Sequence, residues 1–190
     1  MAGTQITMTV EDRLARAMLA RQALPSTGPL APRLGEYLQS STQARFTTQT
    51  APDGTPWAPL KPRYARRKKY HQDKVLTLRG YLRSGIHYQV VDDNTVAVGT
   101  NAKYGAIHQF GGEIDQPERA ATVRYRSVAG KVLFAGKKHK TATERAVTIP
   151  THKVKMPARP YLGISAADDA EIREIIWEWV VERSGGGSQI

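Results

Sequence analysis

The chain has 190 residues, no cysteine, and 28 Lys and Arg against 17 Asp and Glu, a formal net charge of +11. With 40% apolar and 24% charged residues it has the composition of a folded domain, which excludes wholesale disorder and collagen-like or coiled-coil classes, and the missing cysteine excludes disulfide scaffolds, thiolate metal sites and cysteine nucleophiles. Its longest apolar stretch, residues 175–181, is broken by Glu178 and far short of a bilayer span, while residues 1–10 lack the basic start and apolar centre of a signal peptide, so neither a membrane partner nor export is expected.

Residues 4–9 alternate as a strand with one apolar face, and Thr9 with Asp12 offers a capping-box-like start to a helix from Val10 to about Ala23, closed by the breaker cluster at residues 24–29. A second helix is expected over about Leu30 to Thr48, where Leu34, Tyr37, Leu38 and Ser41 recur at offsets of three and four. Four prolines between Pro52 and Pro62 predict an extended, semi-rigid loop pinned by Trp57 and Leu60. A basic helical piece follows at roughly Arg63 to Tyr70, and residues 61–89 carry nine bases against Asp73 alone. Within residues 78–86 a short helix would separate an apolar edge (Leu78, Leu82, Ile86) from a cationic one (Arg79, Arg83). The period then changes to that of two strands, His87 to Val91 and Thr95 to Thr100, joined by a tight turn, with Val96 and Val98 on one face. Tyr104 to Phe110 fits a short helix closed by Gly111 and Gly112.

Residues 113–155 are basic and poor in large apolar side chains, with strand-like pieces at 122–126, 132–134 and 147–149 around a turn-rich stretch at 135–140. They predict a long β-hairpin arm that reaches a neighbour. Ser165 with Asp168 starts the last helix, whose Ile172, Ile175, Ile176, Trp179 and Val180 predict packing on the sheet. Residues 160–190 hold six acids and two bases, so a basic body faces an acidic C-terminal end, an asymmetry suited to head-to-tail contact between copies or to nucleic acid. The expected fold is α+β: a small antiparallel sheet packed by N-terminal and C-terminal helices, residues 1–112 and 156–183 forming one body, 113–155 the basic hairpin arm and 184–190 a flexible tail.

No chemistry-bearing constellation emerges. The histidines at 71, 87, 108, 139 and 152 lack metal-ligand spacing, and Gly111-Gly112 lacks the Lys-Ser/Thr that a phosphate loop requires, so no cofactor, metal or catalytic residue is expected. Arg63, Arg66, Arg67, Lys68 and Lys69, interleaved with Tyr64 and Tyr70, together with Arg79 and Arg83, could lie along nucleic acid, or they could face solvent while the tyrosines pack inward. Trp57, Tyr104, His108, Phe110, Tyr161 and Trp179 are expected as structural anchors. Arg159, bracketed by Ala158 and Pro160, is rigid enough for a bidentate pair across an interface, and equally for a buried partner within the chain.

Four segments carry a resemblance: Pro52 to Leu60; Leu76 to Ile86; Val98-Gly99-Thr100 with Tyr104 to Gly112; and Pro157-Ala158-Arg159-Pro160-Tyr161-Leu162-Gly163. In this order, over about residues 30–183, they resemble the phage virion morphogenesis family, which includes the G protein of Mu-like phages and the tail completion protein of P2-like phages. The second segment departs from the family's Thr-Gly-Arg-Leu, reading Leu78-Arg79-Gly80-Tyr81-Leu82. The resemblance implies a structural, non-catalytic virion protein at the tail end or neck, assembled in the host bacterial cytoplasm. It implies a homo-oligomeric ring, six-fold by family analogy, in contact with tail tube or sheath proteins and head connector or neck proteins. In such a ring Arg124, Arg126, Lys131, Phe134, Lys137, Lys138 and Arg159 are interface candidates, and the cations at 63–69, 79 and 83 are candidates to face packaged DNA. The rival readings are a sequence-nonspecific nucleic-acid-binding accessory protein and a capsid-assembly factor absent from mature particles.

Overall fold

The computed structural model describes residues 4–9, 29–136, 138–140 and 142–185, without the side chains of Ile6, Met8, Thr9, Ser184 and Gly185. The helix expected at Val10 to Ala23 and the last five residues of the expected tail lie outside the described residues. The chain divides into two compact units: a body, Met1–Gly111 with Pro157–Ile190, and a β unit, Gly112–Met156.

In the body, β1 (Thr4–Thr9), β2 (His87–Asp92) and β3 (Thr95–Thr100) form an antiparallel sheet with β3 in the centre. A turn at Asp93 and Asn94 joins β2 to β3, and the Asp92 carboxylate accepts the Asn94 N–H at 2.9 Å. Close approach of β1 requires Gly99, because a Cβ there would stand 2.4 Å from the Thr4 carbonyl oxygen. Across the sheet lies α1 (Leu30–Thr48), which buries Leu30, Leu34, Leu38, Thr42, Arg45 and Phe46 at the three-and-four spacing that puts them on one face. Pro32 is tolerated because the first-turn N–H groups need no helical partner. Gly35 gives the sheet its contact, since a Cβ at that position would meet the Tyr88 ring at 2.3 Å. The helix ends at Gln49, whose left-handed backbone returns its N–H to the Arg45 carbonyl at 2.7 Å.

Two short helices follow. The first, α2 (Pro62–Arg67), stops short of the expected Tyr70 because Lys68 is extended. The second, α3 (Tyr81–Ser84), is a single turn bounded by Gly80 in the left-handed region and by Gly85, so Leu82 and Ile86 are buried while Leu78 falls outside the helix and is exposed. A further helix, α4 (Gly105–Phe110), precedes the β unit. After the β unit, α5 (Ala166–Gly185) starts on a reciprocal cap in which Ser165 Oγ accepts the Asp168 N–H at 3.1 Å and Asp168 accepts the Ser165 N–H at 2.7 Å. Contrary to expectation it packs along α1 rather than on the sheet, and it extends two residues into the predicted tail. Ile172 and Trp179 join Leu34, Leu38, Phe46, Trp57, Val96, Val98 and Tyr161 in one core, where each fully buried large side chain contributes about 1.5–3 kcal/mol.

The β unit is built differently. β4 (Gly112–Gln116) pairs antiparallel with β8 (His152–Met156), and β5 (Arg119–Val128) is flanked by β6 (Lys131–Phe134) and β7 (Thr143–Ile149). The strand-like pieces read from the sequence fall within β5, β6 and β7, whereas β4 and β8 carry no apolar alternation strong enough to reveal them. Ala129 and Gly130, with φ of 49° and 76°, make the two-residue turn between β5 and β6 whose twist suits a hairpin. No described residue of this unit is buried.

Candidate functional site

Three of the four segments that carried the resemblance meet in space. The Trp57 indole N–H donates to the Pro160 carbonyl at 2.7 Å, and Arg159 donates from Nε to Ala58 O at 2.8 Å and from a terminal nitrogen to Pro59 O at 3.1 Å. Its backbone N–H reaches the His108 carbonyl at 2.7 Å. Gln109, buried on α4, accepts the N–H groups of Tyr161 and Leu162 at 3.0 Å each and returns its amide to Leu162 O at 2.9 Å. This stitching holds the chain on the body side of both crossings into the β unit, at Gly111 and at Pro157. Phe46, edge-on to Trp57 at 5.4 Å and tilted on Tyr161 at 5.6 Å, forms the floor.

Beside it lies a buried ionic hub. Arg45 pairs with Asp168 and donates to the Tyr161 carbonyl at 3.0 Å, while the same carboxylate accepts from Ser41, from Tyr37 at 3.0 Å and from Ser165 Oγ at 2.6 Å. Burial alone would raise the Asp168 carboxyl, but the bonds from Ser165 and Ser41 and the Arg45 charge outweigh it and hold the carboxyl at about 2. Burial, then the hydrogen bond to Asp168, pushes the Tyr37 hydroxyl up to about 12. Burial, with the Arg159 cation adding to it, lowers the His108 imidazole and favours its neutral form. Arg45, Asp168, Arg159 and Gln109 are all engaged in holding chain to chain, and among the described residues no cluster of His, Cys, Asp or Glu could hold a metal ion.

The outward-facing parts are of another kind. On β5 and β6 the register puts Tyr125, Val132 and Phe134 on one face and Arg124, Arg126, Lys131 and Leu133 on the other. Phe134 is 81% exposed and its ring is tilted on that of Tyr125 at 5.7 Å, and Val132 is 71% exposed. A 45-residue unit that exposes such side chains and buries none of its described residues lacks a core among them, and small sheets without a covered apolar face are marginal in water.

The model of the phage virion morphogenesis family matches residues 7–181 of this sequence. The chain belongs to that family. The match begins well before residue 30, where the sequence resemblance was first legible. Among curated relatives, tail completion protein S of Escherichia phage P2 is 26% identical over 171 residues, spanning 87% of this chain and 91% of that protein. No solved structure matches the chain.

Against this virion morphogenesis protein the sequence-predicted residues sort as follows. Trp57, Tyr161 and Trp179 are buried and His108 is half-buried, whereas Tyr104 (45% exposed) and Phe110 (73% exposed) are not core anchors. The reason is that α4 turns Gly105 and Gln109 inward, which leaves Phe110 at its outer end. Arg159 takes the second of its two expected roles: it is buried, and its guanidinium donates to Ala58 and Pro59 within the body. Lys68, expected among the cations that face packaged DNA, is instead buried and donates to the His71 and Lys74 carbonyls, stapling that loop. Arg63, Arg66, Arg67, Lys69, Arg79 and Arg83 are exposed. Arg124 is half-buried and pairs with Glu144 at 2.9 Å; Lys131, Phe134 and Lys138 are exposed, Arg126 is half-buried, and Lys137 lies outside the described residues. The residues that sequence reading missed are Arg45 and Gln109. Arg45 carried a signal, since it stands on the apolar stripe of α1, where a charge needs a partner; Gln109 carried none.

Proposed function

We propose that this chain is a tail completion subunit that assembles with copies of itself into a ring at the head–tail junction, where the β unit grips an adjacent subunit. The observation that carries this reading is the coreless β unit joined by two stitched crossings to a well-packed body. Membership of a virion morphogenesis family and the likeness to a tail completion protein support it. A closed ring needs two different complementary patches on every copy, and the basic β unit and the acidic C-terminal helix offer them. The exposed cations at 63, 66, 67, 69, 79 and 83 line the DNA path, attracting phosphates without reading bases.

Electron microscopy of a lysate from a lysogen with this gene interrupted tests the reading. Filled heads beside unattached tails are expected. Overlong tails would instead assign it to length termination, and normal virions would overturn it. Salt-sensitive retention of naked duplex by a protein that never joins particles would favour the nucleic-acid-binding reading.

A further inference from the structure

The outer surface of α5 carries two parallel stripes that the packing of the body does not use. Glu171, Glu174, Glu178 and Glu182, spaced by three, four and four residues, fall on one line of the helix. Trp177, 63% exposed, and Val181, also exposed and four residues on, form an apolar line beside it. Glu182 is held by Arg33 at 2.9 Å, while Glu171, Glu174 and Glu178 have no ion-pair partner within 4 Å among the described residues.

The end of the β unit has the complementary pattern. Its edge strand β6 shows Val132 and Phe134 on one face and Lys131, beside Arg126 of β5, on the other. Val132 and Phe134 are about 7 Å apart along the strand, and Trp177 and Val181 are about 6 Å apart along the helix. Docked edge-on, β6 would straddle the two lines, Val132 and Phe134 over the apolar one and Lys131, on the other side of the same edge, toward the glutamates, with Arg126 one strand behind adding to the positive field. The charges also select between occupants. Gly112–Met156 carries ten bases against four acids, so two β units would repel one another, while Ala166–Gly185 carries six acids against two bases.

We propose that the Glu174–Glu178 and Trp177–Val181 stripes of α5 are the docking site for the β5–β6 hairpin of a second copy of this chain. The proposal rests on the ring reading above and names its contact. It predicts that Glu174→Lys with Glu178→Lys in one chain, and Arg126→Glu with Lys131→Glu in another, each weaken self-association at least about tenfold. All four positions lie outside the core, so urea midpoints and circular dichroism should match the wild type. The two variants mixed one to one restore both contacts in alternation, so sedimentation velocity should recover the wild-type species, as should one chain carrying all four changes.

Zero-length carboxyl-to-amine cross-linking of a mixture of unlabelled and ¹⁵N-labelled wild type should join Lys131 to Glu174 or Glu178 between chains. A wild type that stays monomeric, variants that associate like the wild type, a mixture that stays apart, or a cross-link found only within one chain would each overturn the proposal. So would loss of duplex binding, without loss of association, in the Arg126→Glu, Lys131→Glu chain. The lysate experiment separates the two levels. Unjoined heads and tails, together with charge variants that assemble and rescue normally, would remove this contact and leave the function standing. Normal virions would remove the function whatever the sedimentation shows.

Discussion

The body and the β unit are both held by antiparallel ladders, yet they place their charges in opposite directions. In the body three cations turn inward as staples: Arg45 to Asp168 and Tyr161, Lys68 to two loop carbonyls, and Arg159 to Ala58 and Pro59. In the β unit no described residue is buried, and Arg124, Arg126 and Lys131 lie on the face opposite exposed Val132 and Phe134. The difference teaches that net charge read from a sequence overstates the charge available to a partner. Some of it is already consumed in fixing loops, and here the surviving surplus concentrates where there is no core.

The largest expected effect is in the hub. Arg45→Ala leaves the Asp168 carboxylate buried without its cation and should cost the body about 3–5 kcal/mol in urea unfolding. The same group sets acid sensitivity. Its folded value of about 2 lies below the unfolded carboxylate's, so its contribution is complete above the unfolded value and is lost as pH falls through about 2. Asp168→Asn should flatten that part of the stability profile, and an unchanged acid limb would remove Asp168 as its cause.

A matched pair of truncations tests the contrast more directly. Leu34→Ala, in the α1 core, should cost about 2–5 kcal/mol, whereas Leu133→Ala, exposed on β6, should stay within about 0.5 kcal/mol in the dissociated chain. Equal losses from the two would mean that the β unit has a core after all.

Much of this arrangement was legible in the residues. The α1 boundaries, the β2–β3 hairpin and the Ser165–Asp168 helix start follow from local periodicity and capping, which a sequence displays directly. The failures lie where tertiary partners decide. Lys68 and Arg159 look like surface cations because nothing local reveals the carbonyls that receive them. Phe110 looks like an anchor because aromatic residues usually are, and only the rotation of α4 that buries Gln109 turns it out. The packing of α5 on α1 was equally hidden, since an apolar stripe says that a helix has a partner without naming it. The charge asymmetry was visible, but its sorting into parallel lines on α5 required the helix register.

The smallest effect expected is at the β5–β6 turn. Ala129 occupies the left-handed region with φ of 49°, where an L side chain with no local hydrogen-bonding group is disfavoured and asparagine is tolerated. Ala129→Asn should therefore stabilise the hairpin by less than about 1 kcal/mol, too little for a global melt to resolve. Amide hydrogen exchange resolves it, because the Lys131 and Leu133 amides, which face β5 in the ladder, report local opening of β6 while the Leu34 and Val98 amides report the body. The expected result is slower exchange at the first pair with no change at the second. Slowing at both would mean that the two regions open together, and then the β unit would draw its order from its own body rather than from a neighbour.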